Sequence, residues 1–192
     1  MKNKVVLITG AGKGIGRRLA EELALQGAVI AANDISPINV EEVVQGIRTR
    51  GGQAKAYIED VAKKVGAQML IKSVEDDFGG IDVLINHAAV EPHVPLLNMD
   101  EWDWHRVLDV NLTGAFLMSQ SAGRVMREKG SGVILSLVAG TGENKKEAGA
   151  YLAGKVGLSE LSRHLAQELR PYGVRVFSAT TFEEAMMGLE DV

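Results

Sequence analysis

The sequence of 192 residues contains no cysteine, and proline is limited to four residues. The absence of cysteine excludes disulfide bonds, thiolate nucleophiles and cysteine-ligated zinc or iron–sulfur centres. Because no proline- or serine-rich linker divides the chain, we predict a single domain over residues 1–192. The four histidines lack metal-ligand spacing with any carboxylate, so we expect them at the surface or in packing, and we predict no metal site.

Long apolar runs and clusters of positive charge are also missing. No stretch approaches the roughly 20 apolar residues that cross a bilayer, and the apolar run near the N-terminus is too short for a signal-peptide core. The net charge is −4, with no basic block, which argues against a nucleic-acid or anionic-membrane partner. We therefore expect a cytoplasmic protein that binds small molecules.

Short apolar segments alternate with segments of helical period along the whole chain. The candidate strands are 5–8, 28–32, 81–85, 133–137 and 174–177, with 55–58 as a weaker candidate. The candidate helices are 14–26, 39–50, 62–78, 99–128 and 149–170. Continuously apolar strands are buried on both faces, which is typical of a parallel sheet. We predict a doubly wound α/β fold of about six strands with helices on both faces.

A glycine-rich loop, Thr9–Gly16, joins the first strand to the first helix. Glycines let the backbone approach a pyrophosphate, whose charge then faces the positive end of the helix dipole. The second strand ends at Asp34, where a carboxylate can accept hydrogen bonds from an adenosine ribose and repel a 2′-phosphate. This pattern favours NAD over NADP. Lys13 within the loop leaves the alternative open, because its charge could attract a 2′-phosphate.

Five motifs in this order resemble the short-chain dehydrogenase/reductase family of the single-domain Rossmann type. They are TGAGKGIG with Gly10, Gly14 and Gly16, the pair Asp60-Val61, the segment Asn86-His87-Ala88-Ala89 in place of NNAG, Asn111, and Tyr151 with Lys155 in place of YxxxK. The resemblance covers about residues 4 to 178. It implies an NAD(H)-dependent oxidoreductase that interconverts a secondary alcohol and a ketone, and it implies a homodimer or higher homo-oligomer through helices 99–128 and 149–170.

The resemblance also implies the role of each site residue. The cofactor-binding residues would be Gly10, Lys13, Gly14, Ile15, Gly16, Asp34, Asp60, Val61, Asn86, Ala88, Tyr151 and Lys155. Tyr151 would be the acid–base residue, Lys155 would also hold the nicotinamide ribose, and Asn111 would hold a relay water. A tyrosine titrates near 10, so it needs a nearby cation to act at neutral pH. A lysine four residues later lies on the same helix face and supplies that cation.

The sequence departs from the family pattern at the end of the fifth strand. Alignment places Leu137 or Val138 where the family has its catalytic serine, and neither carries a hydroxyl. Ser136 is the predicted substitute, although a one-residue slip would point it to the other face of the sheet. Thr141 is a second possible substitute.

The last residues depart further from the pattern. The usual Pro-Gly is replaced by a segment in which Thr180 or Thr181 could contact the nicotinamide amide. We expect a shortened C-terminus without the substrate lid and the seventh strand, so the pocket would be open or completed by another subunit. These departures leave an alternative function, a truncated or degenerate family member that binds dinucleotide without efficient catalysis.

Overall fold

Six parallel strands form one sheet in the computed structural model, which describes residues 1–140 and 146–192. The strands are β1 (Val5–Thr9), β2 (Val29–Asn33), β3 (Gln53–Tyr57), β4 (Val83–Asn86), β5 (Gly132–Leu137) and β6 (Val174–Ala179). Their order across the sheet is β3-β2-β1-β4-β5-β6. This is the strand order of the Rossmann fold. The predicted doubly wound α/β fold is confirmed.

Seven helices connect or follow the strands in the described part of the chain. They are α1 (Gly14–Leu25), α2 (Pro37–Thr49), α3 (Lys64–Phe78), α4 (Glu101–Leu108), α5 (Ala115–Lys129), α6 (Gly149–Leu169) and α7 (Phe182–Leu189). Two short 3₁₀ turns lie at Leu96–Asn98 and Arg170–Tyr172. Within residues 1–140 and 146–192, every helix is too short or too polar to cross a membrane.

Helix boundaries follow from local capping chemistry. Gly27 and Gly51 adopt left-handed φ values of 87° and 84° just after α1 and α2, as expected for helix-ending glycines. At the start of α4, the side chain of Asp100 accepts a hydrogen bond of 2.7 Å from the Asp103 amide. Asn98, three residues before Glu101, ends the preceding 3₁₀ turn and does not cap α4.

The core lies in two layers, one on each face of the sheet. One layer holds buried residues of α1 and α2 against alternate residues of the strands, for example Leu19, Val43 and Ile8. The other holds buried residues of α3 and α5 against the opposite strand residues, for example Leu70 and Met118. Burying both faces explains why the strands are apolar without interruption.

The predicted helix 99–128 contains a local change of winding. Between α4 and α5, residues Asp109–Gly114 form a π-helical segment that carries the chain on without a break. Such segments occur often at functional sites. Asn111 lies inside this segment and is fully buried.

Candidate active site

The order of the strands reverses between β1 and β4, and a crevice opens there at the carboxyl ends of the strands. The Thr9 hydroxyl, at the end of β1, accepts hydrogen bonds from the backbone amides of His87 at 3.1 Å and Ala88 at 3.2 Å. It therefore ties β1 to the segment that follows β4. In doubly wound sheets, ligands bind at this switch point.

The glycine loop enters this crevice and leads into α1. Gly10 and Gly14 have left-handed φ values of 65° and 59°. A Cβ atom on Gly10 would lie 2.8 Å from the Ala88 Cα, and one on Gly16 would lie 2.5 Å from the Gly10 carbonyl oxygen. The N-cap residue of α1, Lys13, makes no side-chain capping bond, and the first turn of the helix therefore faces the crevice with backbone donors for an anion. The loop thus has the shape and the donors of a phosphate cradle.

Asp34 lies beside this cradle, directly after β2. One of its carboxylate oxygens accepts from the Gly12 amide and the other from the Ser36 amide, each at 2.9 Å. The side chain is buried, and a Cβ on Gly12 would come within 2.8 Å of it. The carboxylate is therefore held against the loop, at the position expected for a ribose-binding residue.

Lys13 is exposed and lines a cleft on the other side of β1 from Asp34. The cleft has a volume of about 440 Å³, and its other lining residues belong to the segment after β4 and to α4. They are Ala89, Val90, Glu91, Pro92, Asp103, Arg106 and Val107. Because β2 and β4 flank β1 on opposite sides, Lys13 lies toward β4 and Asp34 toward β2.

The predicted adenine-contacting pair follows β3. The Asp60 carboxylate accepts from the Ala62 amide at 3.0 Å, and Val61 is buried in the core layer of α3 and α5. Asn33 at the end of β2 donates to the carbonyl oxygens of Tyr57 and Glu59. The ends of β2 and β3 are therefore linked beside the loop.

Tyr151 and Lys155 lie one turn apart on α6, and both side chains reach backbone carbonyls at the end of β5. The Tyr151 hydroxyl donates to the Ala139 carbonyl at 2.8 Å, and the Lys155 ammonium donates to the Leu137 carbonyl at 2.8 Å. The Lys155 Nζ lies 5.7 Å from the centroid of the Tyr151 ring. Lys155 is only 2% exposed, and this burial lowers its pKa to about 8. The ammonium is therefore held close to the tyrosine without a covering of water.

Asn111 connects α6 to the segment after β4. Its amide group donates to the Val90 carbonyl at 2.9 Å and accepts from the Val90 amide at 2.8 Å. A Cβ on Gly154 of α6 would lie 3.1 Å from the Asn111 Cβ, so α6 packs closely here. The Asn111 side chain thus holds the Val90 backbone next to the face of α6 that carries Gly154, an arrangement that the sequence did not predict.

Asn86 ends β4 and is also buried. Its side-chain nitrogen donates to the Ser119 hydroxyl at 2.8 Å. Among the described residues, its Oδ1 is the buried side-chain polar atom that finds no partner. A buried acceptor without a protein donor is the kind of atom that an ordered water molecule or a ligand satisfies.

The comparisons with known proteins agree with this geometry. The family model for short chain dehydrogenases matches residues 4–182. The chain belongs to the short chain dehydrogenase family. An uncharacterized oxidoreductase from Thermotoga maritima is 37% identical over 97% of this chain and 75% of its own length. A 3-oxoacyl-[acyl-carrier-protein] reductase from Staphylococcus epidermidis is 37% identical over 91% of this chain and 72% of its own.

Solved structures show the same likeness. The structure of an NAD⁺-bound xylitol dehydrogenase superposes with a TM-score of 0.89 and 32% identity, covering 93% of this chain and 70% of the other. A short chain dehydrogenase from Mycobacterium smegmatis gives a TM-score of 0.90 with 29% identity, covering 98% and 84%. Both the fold and the membership of this oxidoreductase family are therefore established.

The end of β5 departs from the short chain dehydrogenase pattern in the structure as in the sequence. Leu137 is buried in the core layer of α1 and α2, and Val138 packs against Ala115 and Leu158. Ser136 is 1% exposed within β5, in register with Asn86 of β4. Thr141, the other predicted substitute for the serine, lies outside the described residues.

The two threonines after β6 take part in capping α7. The Thr181 hydroxyl accepts from the Glu184 amide at 3.1 Å, while the Thr180 amide and hydroxyl both donate to the Glu184 carboxylate at 2.7 Å. These bonds lower the pKa of the Glu184 carboxyl. Any contact of Thr180 with a nicotinamide amide would have to compete with this capping arrangement.

The four histidines do not behave alike. His87 lies in the crevice, where its ring contacts the glycine loop, whereas His93, His105 and His164 are exposed. In the described part of the chain, no three His, Asp or Glu side chains lie close enough together to hold a metal ion. The sequence placed His87 with the other histidines, at the surface or in packing, although its position in the segment that resembles NNAG was a signal for a place in the site.

Proposed function

We propose that this chain is an NAD(H)-dependent oxidoreductase that interconverts a secondary alcohol and a ketone. The observation that carries the proposal is the pair of Tyr151 and buried Lys155, fixed at the carboxyl edge of the same sheet that presents the glycine loop. A proton-transfer group and a phosphate cradle on one edge are what hydride transfer to a carbonyl requires. Family membership supports the reaction class.

The described residues fit a nicotinamide dinucleotide. The first turn of α1, whose N-cap residue makes no side-chain capping bond, and the close approach of Gly10 and Gly16 form a cradle for a pyrophosphate. Asp34 lies where it would bind the ribose hydroxyls, and its charge would repel a 2′-phosphate. Lys13 lies on the far side of β1 from Asp34, which weakens the case for it as a 2′-phosphate ligand. These features support NAD over NADP.

Proton transfer is assigned to Tyr151. A bound nicotinamide would supply the hydride for ketone reduction and would accept it in alcohol oxidation. The Tyr151 hydroxyl gives a proton to the substrate oxygen during ketone reduction and becomes a phenolate, and the phenolate takes the proton of the alcohol during oxidation. The Lys155 ammonium, 5.7 Å from the ring, favours the phenolate by its charge. The Tyr151 hydroxyl must exchange its bond to the Ala139 carbonyl for one to the substrate.

Asn111 and Ser136 complete the proposed machinery. Asn111 holds the Val90 backbone and is proposed to support the water that links Lys155 to solvent. Ser136 is proposed to orient the substrate oxygen. The resemblance to the family suggests both roles. Their positions support them, because Ser136 lies near the end of β5 and Asn111 packs against α6.

The test is a screen of ketones with NADH and of secondary alcohols with NAD⁺, followed at 340 nm. We expect turnover in the native protein and its loss in Tyr151→Phe, with NADH binding retained. Turnover of equal rate in Tyr151→Phe would contradict the proposal.

A second candidate function is a dinucleotide-binding protein with little catalytic activity. It is favoured by one observation, the apolar Leu137 and Val138 at the serine position together with the 1% exposure of Ser136. The same screen separates the two candidates. A binder without catalysis would show NADH binding but no 340 nm signal above that of Tyr151→Phe.

We also propose that the protein assembles through α4, α5 and α6, as the resemblance implies. Trp102, Phe116 and Val156 on these helices are exposed apolar residues, and exposed apolar patches often mark interfaces. Light scattering coupled to size-exclusion chromatography should give the mass of a dimer or a larger oligomer. A monomer at micromolar concentration would contradict this proposal.

A further inference from the structure

The imidazole ring of His87 connects the two ends of the glycine loop. Its Nδ1 lies 2.9 Å from the carbonyl oxygen of Gly10, the first glycine of the motif. Its Nε2 accepts a hydrogen bond of 3.3 Å from the amide of Gly16, the third glycine. The backbone amide of His87 is itself bonded to the Thr9 hydroxyl. One side chain thus links β4 to both ends of the loop.

The fit around this ring is close. A Cβ atom on Gly16 would lie 2.5 Å from the His87 Nδ1, and one on Gly10 would lie 3.0 Å from the same atom. The two glycines are therefore needed to admit the imidazole as well as any ligand. The ring in turn sets the distance between the start of the loop and the first turn of α1.

The two partners determine the protonation state of the ring. A carbonyl oxygen only accepts, so Nδ1 must carry a hydrogen; an amide N–H only donates, so Nε2 must not. The neutral ring with hydrogen on Nδ1 satisfies both partners. The protonated ring would set an Nε2–H against the Gly16 N–H and lose that hydrogen bond.

We propose that His87 is a positioning residue whose neutral Nδ1–H form holds the glycine loop in its dinucleotide-binding shape, so that protonation of the ring weakens dinucleotide binding. The proposal rests on the proposed function, because it concerns the same site. His87 acts on the ligand through the loop backbone and takes no part in proton transfer to the substrate.

The surroundings of the ring favour the neutral form. Burial and the charge of Lys155 on α6 lower the pKa of His87, whereas the bonds to Gly10 and Thr9 and the charge of Asp34 after β2 oppose that change. Lys155 and Asp34 are the charged groups that act on the ring from the packed elements. The ring is thus expected to stay neutral at pH 7 and to protonate below its usual range.

Long-range ¹H–¹⁵N NMR of the histidine rings tests the protonation state without any cofactor. We expect His87 to show hydrogen on Nδ1 and a titration midpoint below 6.5. The three exposed histidines supply reference signals, and His87→Asn identifies the resonance by its loss. Hydrogen on Nε2 at pH 7, or a midpoint at or above 6.5, would overturn the proposal.

Fluorescence titration with NADH tests the consequence for binding. At pH 7 we expect His87→Leu to raise the Kd about tenfold, since a lost hydrogen bond to the loop has that order of effect. His87→Asn keeps a donor and an acceptor and should stay within about threefold. His164→Asn, an exposed change on α6, is the matched control and should match the native protein.

The same titration is repeated on both sides of the NMR midpoint, below pH 7 so that Lys155 keeps its charge. We expect the Kd of the native protein to rise about tenfold on acidification while that of His87→Asn changes less than twofold. Equal pH dependence in the two proteins, or tighter binding through attraction between the charged ring and the phosphates, would overturn the proposal. If no protein binds NADH at any pH, the proposed function fails instead, and the NMR result still decides the state of the ring.

Discussion

The carboxyl ends of β1, β2 and β4 differ in construction from the carboxyl end of β5. In the first region the protein's own polar groups hold the backbone, because Thr9, Asp34 and His87 form hydrogen bonds with backbone amides and carbonyls at the ends of these strands. In the second region, Leu137 and Val138 have apolar side chains that pack in the core. The hydrogen bonds here run from Tyr151 and Lys155 of α6 to backbone carbonyls. The first region is fixed before any ligand arrives.

This difference separates the two parts of the proposed reaction, cofactor binding in the first region and proton transfer in the second. The cofactor half rests on a rigid backbone, which lowers the cost of ordering a ligand. Proton transfer depends on Tyr151 and Lys155, and both side chains donate hydrogen bonds to backbone carbonyl oxygens of the protein. Changes in the first region should therefore alter binding, and changes in the second should alter turnover.

The largest effect is expected for Tyr151→Phe, which removes the proposed proton donor. Turnover should fall by about 100-fold or more, the usual scale of a lost acid–base group, while the Kd for NADH stays within about twofold. Tyr172→Phe, at an exposed tyrosine, is the control and should leave both quantities unchanged. Weakened NADH binding with unchanged turnover would reverse the proposed division between the regions.

Asp34→Asn should change cofactor choice in the first region. Removal of the charge takes away the repulsion of a 2′-phosphate and weakens the bonds to ribose, so the preference for NADH over NADPH should fall about tenfold. Fluorescence titrations with both cofactors measure the ratio. Asp76→Asn on the exposed face of α3 controls for net charge. An unchanged ratio would remove Asp34 from the specificity argument.

Ser136→Ala tests whether a hydroxyl in the second region acts on the substrate. If the Ser136 hydroxyl orients the substrate oxygen, its loss removes one hydrogen bond, and turnover should fall about tenfold with NADH binding unchanged. Ser162→Ala removes another buried hydroxyl, one that donates to the Leu158 carbonyl within α6, and serves as the matched control. Equal turnover in the two variants would mean that Ser136 is a structural residue of β5.

The smallest effect is expected in the pH dependence of stability. The pKa of Lys155 is lowered to about 8 in the folded protein, whereas an unfolded lysine titrates near 10.4. Between these values the unfolded chain binds the extra proton, so the free energy of unfolding should rise with pH by at most about 1.4 kcal/mol per pH unit. Denaturant unfolding of the native protein and Lys155→Met measures it. The same slope in both proteins would contradict the assignment.

The sequence was sufficient to predict the doubly wound parallel sheet of about six strands. Continuous apolar runs predicted five strands directly, and β3 was the weaker candidate because Gln53–Tyr57 alternates in burial at the sheet edge. Helix α7 was not predicted. Its eight residues pack Ala185 and Leu189 against the core layer of α1 and α2, a contact that depends on tertiary structure rather than on local pattern.

The sequence named candidate site residues but could not show what their side chains contact. Motif spacing locates Asn111 and His87, yet spacing carries no information about which backbone groups their side chains meet. The Val90 backbone lies 21 residues from Asn111 in the chain. The ends of the glycine loop lie 71 and 77 residues from His87. Only the folded arrangement of β1, β4 and α6 brings them together.

The most direct test of the account is a fluorescence titration of the native protein with NADH and, separately, with NADPH. We expect saturable binding of NADH and binding of NADPH that is at least about tenfold weaker, because the Asp34 carboxylate is held beside the phosphate cradle. Equal affinity for the two cofactors would contradict the specificity argument. Failure to bind either one would contradict the central claim that this edge of the sheet is a nicotinamide dinucleotide site.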